Sequence, residues 1–153
     1  MHSPLSEPFA NAADVANYLL TKSSDGMSQL KMQKLLYFCQ AGSLAWTGRP
    51  MFGETIEAWI NGPVVVNFWN AHRYQGWIST VSEAKDLFDS TACAICDSIY
   101  ARYGEYEAWR LRDLSLQQKP WKDARQSFSS QKRVNVPIDT KLMLRHYRKA
   151  WTH

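Results

Sequence analysis

The sequence predicts a mainly helical, compact domain built around a central buried helix, with a small two-stranded β element. Three observations carry that expectation. Apolar residues recur at three- and four-residue steps through most of the chain, the pattern of a helix face. Residues 29–46 are apolar over an arc so wide that they must be covered on more than one side. Two short windows, 55–60 and 77–81, carry the β-branched and aromatic residues of strands and are expected to pair with each other. With 153 residues, 45% of them hydrophobic, the chain fits one domain with a sizeable core.

Taken in order, residues 1–10 hold two Pro and two Ser and read as a loose arm. Residues 13–21 follow as a helix with Val15, Tyr18 and Leu19 on one side, and Gly26 suits the reversal after it. Ser28 is placed to N-cap the central helix, because its hydroxyl can accept a free N–H of the first turn. Met32, Leu35, Leu36, Cys39, Ser43 and Trp46 form that helix's stripe, widened by Tyr37, Phe38, Ala41, Leu44 and Ala45. Gly48 ends it and Pro50 prevents resumption.

The strand at 55–60 is broken by Asn61-Gly62-Pro63. A helix is then expected over 65–75, with Phe68, Trp69 and His72 at helical spacing and Gly76 at its end. After the strand at 77–81, Phe88, Ala92, Ile95, Ile99 and Tyr103 predict a helix over 89–103, closed by Gly104. Residues 106–116 are helical again, and Pro120 starts a short helical turn. Residues 126–136 are polar and read as a loop. Pro137 is expected to start a last helix, with Ile138, Leu142, Leu144, Tyr147 and Trp151 as its apolar positions.

Charge is uneven. The net charge is +4, yet residues 132–153 hold six Lys or Arg and one Asp, so that tail is +5 and the remainder −1. A nucleic-acid role is therefore expected only through the tail. The tail helix has two readings of equal weight: docking on the body, or engagement of a partner or phosphate. The three Cys, at 39, 93 and 96, and an N-terminus without a basic start or apolar run predict reduced thiols and a cytoplasmic protein. No apolar stretch approaches the ~20 residues of a membrane span.

The search for chemistry returns bland answers. Cys93 and Cys96 form a CxxC, but it falls inside an apolar helix stripe with no second pair of ligands, so core packing is expected rather than zinc or redox work. His72 is the central histidine, and no second histidine sits at ligand spacing. Glu54/Glu57 and Glu105/Glu107 read as solvated pairs. There is no GxSxG, P-loop or GxGxxG. No enzyme activity, cofactor or metal is expected.

Residues 30–38, Leu-Lys-Met-Gln-Lys-Leu-Leu-Tyr-Phe, resemble the LKLQKLLYF signature of the Panacea domain, the SocA/GepA-like group. The likeness continues through Ala45-Trp46-Thr47-Gly48-Arg49-Pro50-Met51-Phe52, Ile56-Glu57-Ala58-Trp59 and Gly62-Pro63-Val64-Val65. Upstream it takes in Val15–Leu20 as VANYLL. Downstream it includes Tyr103-Gly104, Trp109-Arg110-Leu111 and Pro120-Trp121-Lys122-Asp123-Ala124-Arg125. It covers residues 12–126 and leaves 127–153 as a linker and basic C-terminal helix. One position departs: members often carry Pro after Gly-Pro-Val-Val, where this chain has Val66.

The resemblance implies an antitoxin of a bacterial or prophage toxin–antitoxin pair, neutralising its cognate toxin by direct binding, without catalytic centre or cofactor. Two alternatives stay open: an adaptor that delivers a toxin to a protease, and a nucleic-acid-binding regulator acting through the tail. Large aromatics near the β element are the expected contacts, namely Trp59, Phe68, Trp69 and Trp77, together with Arg73. The helix at 29–46 is expected to be scaffold, and the part after Gly53 the place where a partner lands.

Overall fold

Helix α2 (Gln29–Thr47) is the axis of the fold, and every residue from Met32 to Ala45 is buried. The computed structural model describes residues 7–128 and 135–151. Ser28 caps α2 as the sequence predicts, its Oγ accepting the Lys31 N–H at 3.1 Å. Gly48 closes it in the left-handed conformation, φ 76°, with its N–H on the Leu44 carbonyl.

Four helices wrap this axis: α1 (Ala12–Leu20), then α4 (Ser90–Tyr103), α5 (Ala108–Leu116) and α7 (Thr140–Ala150). The short helices α3 (Val66–His72) and α6 (Lys119–Ala124) connect them. Val15, Leu19, Leu35, Leu36, Ile99, Leu111 and Met143, each fully buried, belong to one continuous apolar core. The protein is mainly α, as expected.

The strands depart from expectation. Strand β2 (Ile56–Trp59) pairs antiparallel with β3 (Gly62–Val65) across a two-residue turn, with Trp59 opposite Gly62. A short strand, β5 (Val136–Pro137), lies on the other edge of β2. The window at 77–81 supplies β4 (Trp77–Ile78), which pairs with β1 (Met27–Ser28) and not with β2. Ile60-Asn61 thus makes a hairpin turn, and Gly62-Pro63, expected only as a break, opens β3. Gly62 has φ 111°, a region other residues rarely adopt. Pro63 costs the ladder nothing, because its carbonyl and the peptide groups of Val65 point away from β2 toward α2. With β3 using Gly62–Val65, α3 begins only at Val66.

Other boundaries also differ. The arm is tied down over part of its length: the N–H groups of Phe9 and Ala10 bond the carbonyls of Pro50 and Met51 at 3.1 and 2.9 Å. Residues 1–6 of the expected arm and 129–134 of the expected loop lie outside the described residues. Helix α7 starts at Thr140 and not at Pro137, because Asp139 caps it by accepting the Lys141 N–H. Phe88 and Trp46, expected on apolar stripes, are 85% and 44% exposed: Phe88 lies just before α4, and Trp46, in the last turn of α2, is covered on one side by the Trp151 ring at 5.4 Å.

Helix α7 docks on α2. Tyr147 and Met143 are buried, and the Tyr147 and Tyr37 hydroxyls are 3.0 Å apart. Arg148 donates from Nε to the Ala45 carbonyl at 3.0 Å, a cation at the negative end of α2. Of the two readings of the tail helix, docking on the body is the one seen.

A candidate partner-binding groove

The groove is built by polar side chains of α2 that hold main-chain atoms. A buried amide or ammonium is tolerated only with partners, and irregular backbone needs partners of its own. Gln33 Oε1 accepts the Val65 N–H at 2.7 Å, and Lys34 Nζ donates to the Pro63 carbonyl at 2.9 Å. Gln29 Nε2 donates to the carbonyl of His72 at the end of α3, at 2.9 Å. Gln40 repeats the device further along: Oε1 accepts from the N–H groups of Met51 and Phe52 at 2.7 and 3.1 Å, and Nε2 donates to the Phe52 carbonyl at 2.8 Å. The polar members of the signature segment therefore clamp the hairpin and the 50–52 segment to the axis.

Between the start of α2, the hairpin and α3 lies an open groove of about 480 Å³. Leu30, Ile60, Val64, Trp59 and Trp69 supply its apolar walls; Gln29, Gln33, Asn61 and Gln75 supply amides; Lys34 and Arg73 supply cations. Among the described residues no Asp or Glu lines it. The indoles of Trp59 and Trp69 meet edge to face, centroids 5.7 Å apart. Trp59 is held further by Nε1 donating to Glu57 Oε1 at 2.8 Å and by its carbonyl accepting from Trp121 Nε1 at 2.8 Å.

Lys34 is the unusual member. It is 1% exposed and is the one charged residue among the buried residues of α2. Burial, and then the like charge of Arg112, lower its pKa to about 7. The sequence carried a signal for it, a lysine in the middle of a wide apolar arc, which periodicity alone passes over.

Of the five expected contact residues, the structure brings three together in the groove: Trp59, Trp69 and Arg73. Trp59 and Trp69 are half-buried, and Arg73 is exposed over the ring of Tyr74. Phe68 is placed differently. It is 2% exposed and stacks on His72 inside the core, because successive residues of a helix point about 100° apart, which turns Phe68 away from the face that carries Trp69. Trp77 is 58% exposed on β4, with Nε1 on the Asp25 carbonyl at 2.8 Å, and does not line the groove. Leu30, Ile60, Val64 and Lys34 line it without having been singled out. Their convergence depends on the hairpin.

The remaining constellations are structural. Cys39 and Cys96 are buried, and the Cys93 thiol reaches the Leu87 carbonyl. His72 lies between Gln75 Oε1 and Glu83 Oε2, at 2.5 and 2.7 Å. Glu54 accepts the Ala12 N–H at the start of α1, and Glu57 holds Trp59, so this acidic pair is divided between two tasks. Among the described residues no group of His, Cys, Asp or Glu is arranged to hold a metal, and no helix is long and apolar enough to cross a membrane.

Comparison with known proteins agrees with the signature read from residues 30–38. No curated protein and no solved structure matches the chain. The family described as "Antitoxin SocA-like, Panacea domain" matches residues 32–122, more than half of the 153-residue chain. That span runs from the first turn of α2 through the hairpin and α3 to α6, and so includes the groove's two tryptophans, Arg73 and Lys34. The chain belongs to the SocA-like, Panacea-domain antitoxin family.

Proposed function

We propose that this protein is the antitoxin of a bacterial or prophage toxin–antitoxin pair and neutralises its cognate toxin by direct binding, acting in the cytoplasm. Family membership supports the antitoxin role. The observation that supports a contact here is the groove, where two half-buried indoles and an exposed guanidinium stand together. Trp and Arg are the residue types that carry most binding energy at interfaces when a partner desolvates them. The mechanism is occlusion: toxin surface buried against Trp59 and Trp69 is withheld from its own target.

Co-expression with the neighbouring small open reading frame tests this. Growth should be rescued by the wild-type protein, and a pull-down should recover the complex. Trp69→Ala and Arg73→Glu should each weaken the complex by about tenfold or more, a hot-spot loss of ~2 kcal/mol for the tryptophan. An unimpaired complex with both changes present would place the interface elsewhere. Absence of both rescue and complex would remove the antitoxin reading for that gene pair.

A further inference from the structure

Lys34 sits in the wall of the groove, and among the described residues no anion pairs with it. Its Nζ has a neutral acceptor, the Pro63 carbonyl. The ion pairs among the described residues are Lys22–Asp97, His72–Glu83, Arg112–Asp113 and Lys119–Asp123, and neither Lys34 nor Arg73 takes part in them. The one charge that acts appreciably on Lys34 is Arg112, of the same sign. A buried cation without a counter-ion is costly, and deprotonation near neutral pH relieves part of that cost. An open groove of about 480 Å³, lined by the exposed Arg73 guanidinium and by the buried Lys34, with no described Asp or Glu in its lining and with the neighbouring Glu57 carboxylate engaged by Trp59 Nε1, is complementary to an anion flanked by apolar groups.

We propose that this groove accepts an aspartate or glutamate side chain of a partner protein, flanked by apolar residues, as the counter-ion that the fold does not supply to Lys34 and Arg73. The proposal rests on the toxin-docking reading and specifies the chemistry of what docks. The occupant contributes side chains rather than an added strand. The outward peptide groups of β3 are already taken by Gln33 and Lys34, and the far edge of β2 is covered by β5, so no edge of this hairpin is open for strand addition.

The test uses the full-length protein labelled with ¹³C at lysine Cε, and two probes of one shape, 3-phenylpropionate and 3-phenylpropionamide. The acid should bind at least about tenfold more tightly than the amide. At saturation it should raise the Lys34 titration midpoint by about one pH unit, the same coupling read from the other side. Lys34→Met, folded by circular dichroism, should lose most of the preference for the acid, and Lys34→Met combined with Arg73→Gln should bind both probes alike. If Lys34→Met does not fold, the wild-type titration decides alone. A displayed random-peptide library panned on the wild-type protein should enrich Asp or Glu between apolar residues. Equal binding of acid and amide, or an unmoved Lys34 midpoint, overturns the proposal. So does a bound acid without acidic peptides, which would indicate a free small acid as the occupant. No toxin enters these assays, so their failure is separable from failure of toxin capture.

Discussion

At the scale of single residues, the buried polar side chains of α2 set the fold's sensitivity to pH and to mutation. Lys34 has a folded pKa of about 7, below the 10.5 of a free lysine. Between those values the unfolded chain holds a proton that the folded chain lacks. Stability therefore rises with pH above 7, by up to about 1.4 kcal/mol per unit, and the penalty is complete below 7. Burial raises the pKa values of Tyr37 and Tyr147, and contact with Cys96 together with burial raises that of Cys39, so these groups act in the opposite direction at higher pH. The clean window is pH 7 to 9. Urea midpoints should climb across it in the wild type and stay flat in Lys34→Met, which should also be the more stable of the two at pH 7. A wild-type slope equal to that of the variant would contradict the assignment.

Gln40 offers a second test at this scale. Gln40→Leu keeps the side chain's bulk but strands two buried N–H groups, those of Met51 and Phe52. Each unsatisfied donor costs about 1–3 kcal/mol. Urea denaturation should show a loss of ~3 kcal/mol, well above that of an exposed Gln117→Leu. These roles were hard to read in the sequence. Hydrophobic periodicity identified the helix and its burial, but an amide's partner here is main chain distant in sequence, and no local spacing encodes it. Ser28 and Gly48 act within their own helix ends, and their roles were legible for that reason.

At the scale of elements, the β2–β3 hairpin decides where the groove lies. A Cβ on Gly62 would stand 2.9 Å from Lys34 Cε and 3.0 Å from Ser115 Oγ, on a backbone with φ +111°. Gly62→Ala should therefore cost about 1–3 kcal/mol and displace the hairpin, while Gly76→Ala, with open space around it, should not alter the groove. Thermal melts and the indole N–H resonances of Trp59 and Trp69 report both effects. Strand composition locates β2 but not its partner, because Gly62-Pro63 reads as an interruption in sequence, whereas in the fold Ile60-Asn61 turns the chain and Gly62-Pro63 opens β3.

Helix α7 is the second element with a clear prediction. Tyr147 is 2% exposed and packs against Tyr37 and Phe38. Tyr147→Ala should cost about 3–5 kcal/mol, as for a large aromatic removed from a core. Composition and charge give docking on the body and engagement of a partner equal weight for this helix. Its apolar side is narrow, and the match to the cleft beside α2 is visible only in three dimensions.

At the scale of the whole molecule, rigid and variable parts are arranged around the axis. The large exposed apolar side chains Trp46, Tyr74, Trp77, Phe88 and Trp109 lie on helix ends, loops and β4, whereas Trp59 and Trp69 share a concavity. Replacing Trp59 and Trp69 together by Ala should impair toxin capture more than replacing Trp77 and Trp109 together, in a pull-down at matched expression. Fold class was legible because helices announce themselves within a few turns of sequence. The groove was legible only in part, because three of its walls come from segments whose relative placement depends on the hairpin turn.

The clamps of α2 grasp peptide N–H and C=O groups, which are the same whatever side chain a residue carries. The hairpin is thus held by its backbone, like a picture gripped by its frame. Ile60, Asn61 and Val64 can be exchanged without disturbing what Gln33 and Lys34 hold. One scaffold can then present many different contact faces, and partner choice can change by substitution at the groove while the fold stays intact.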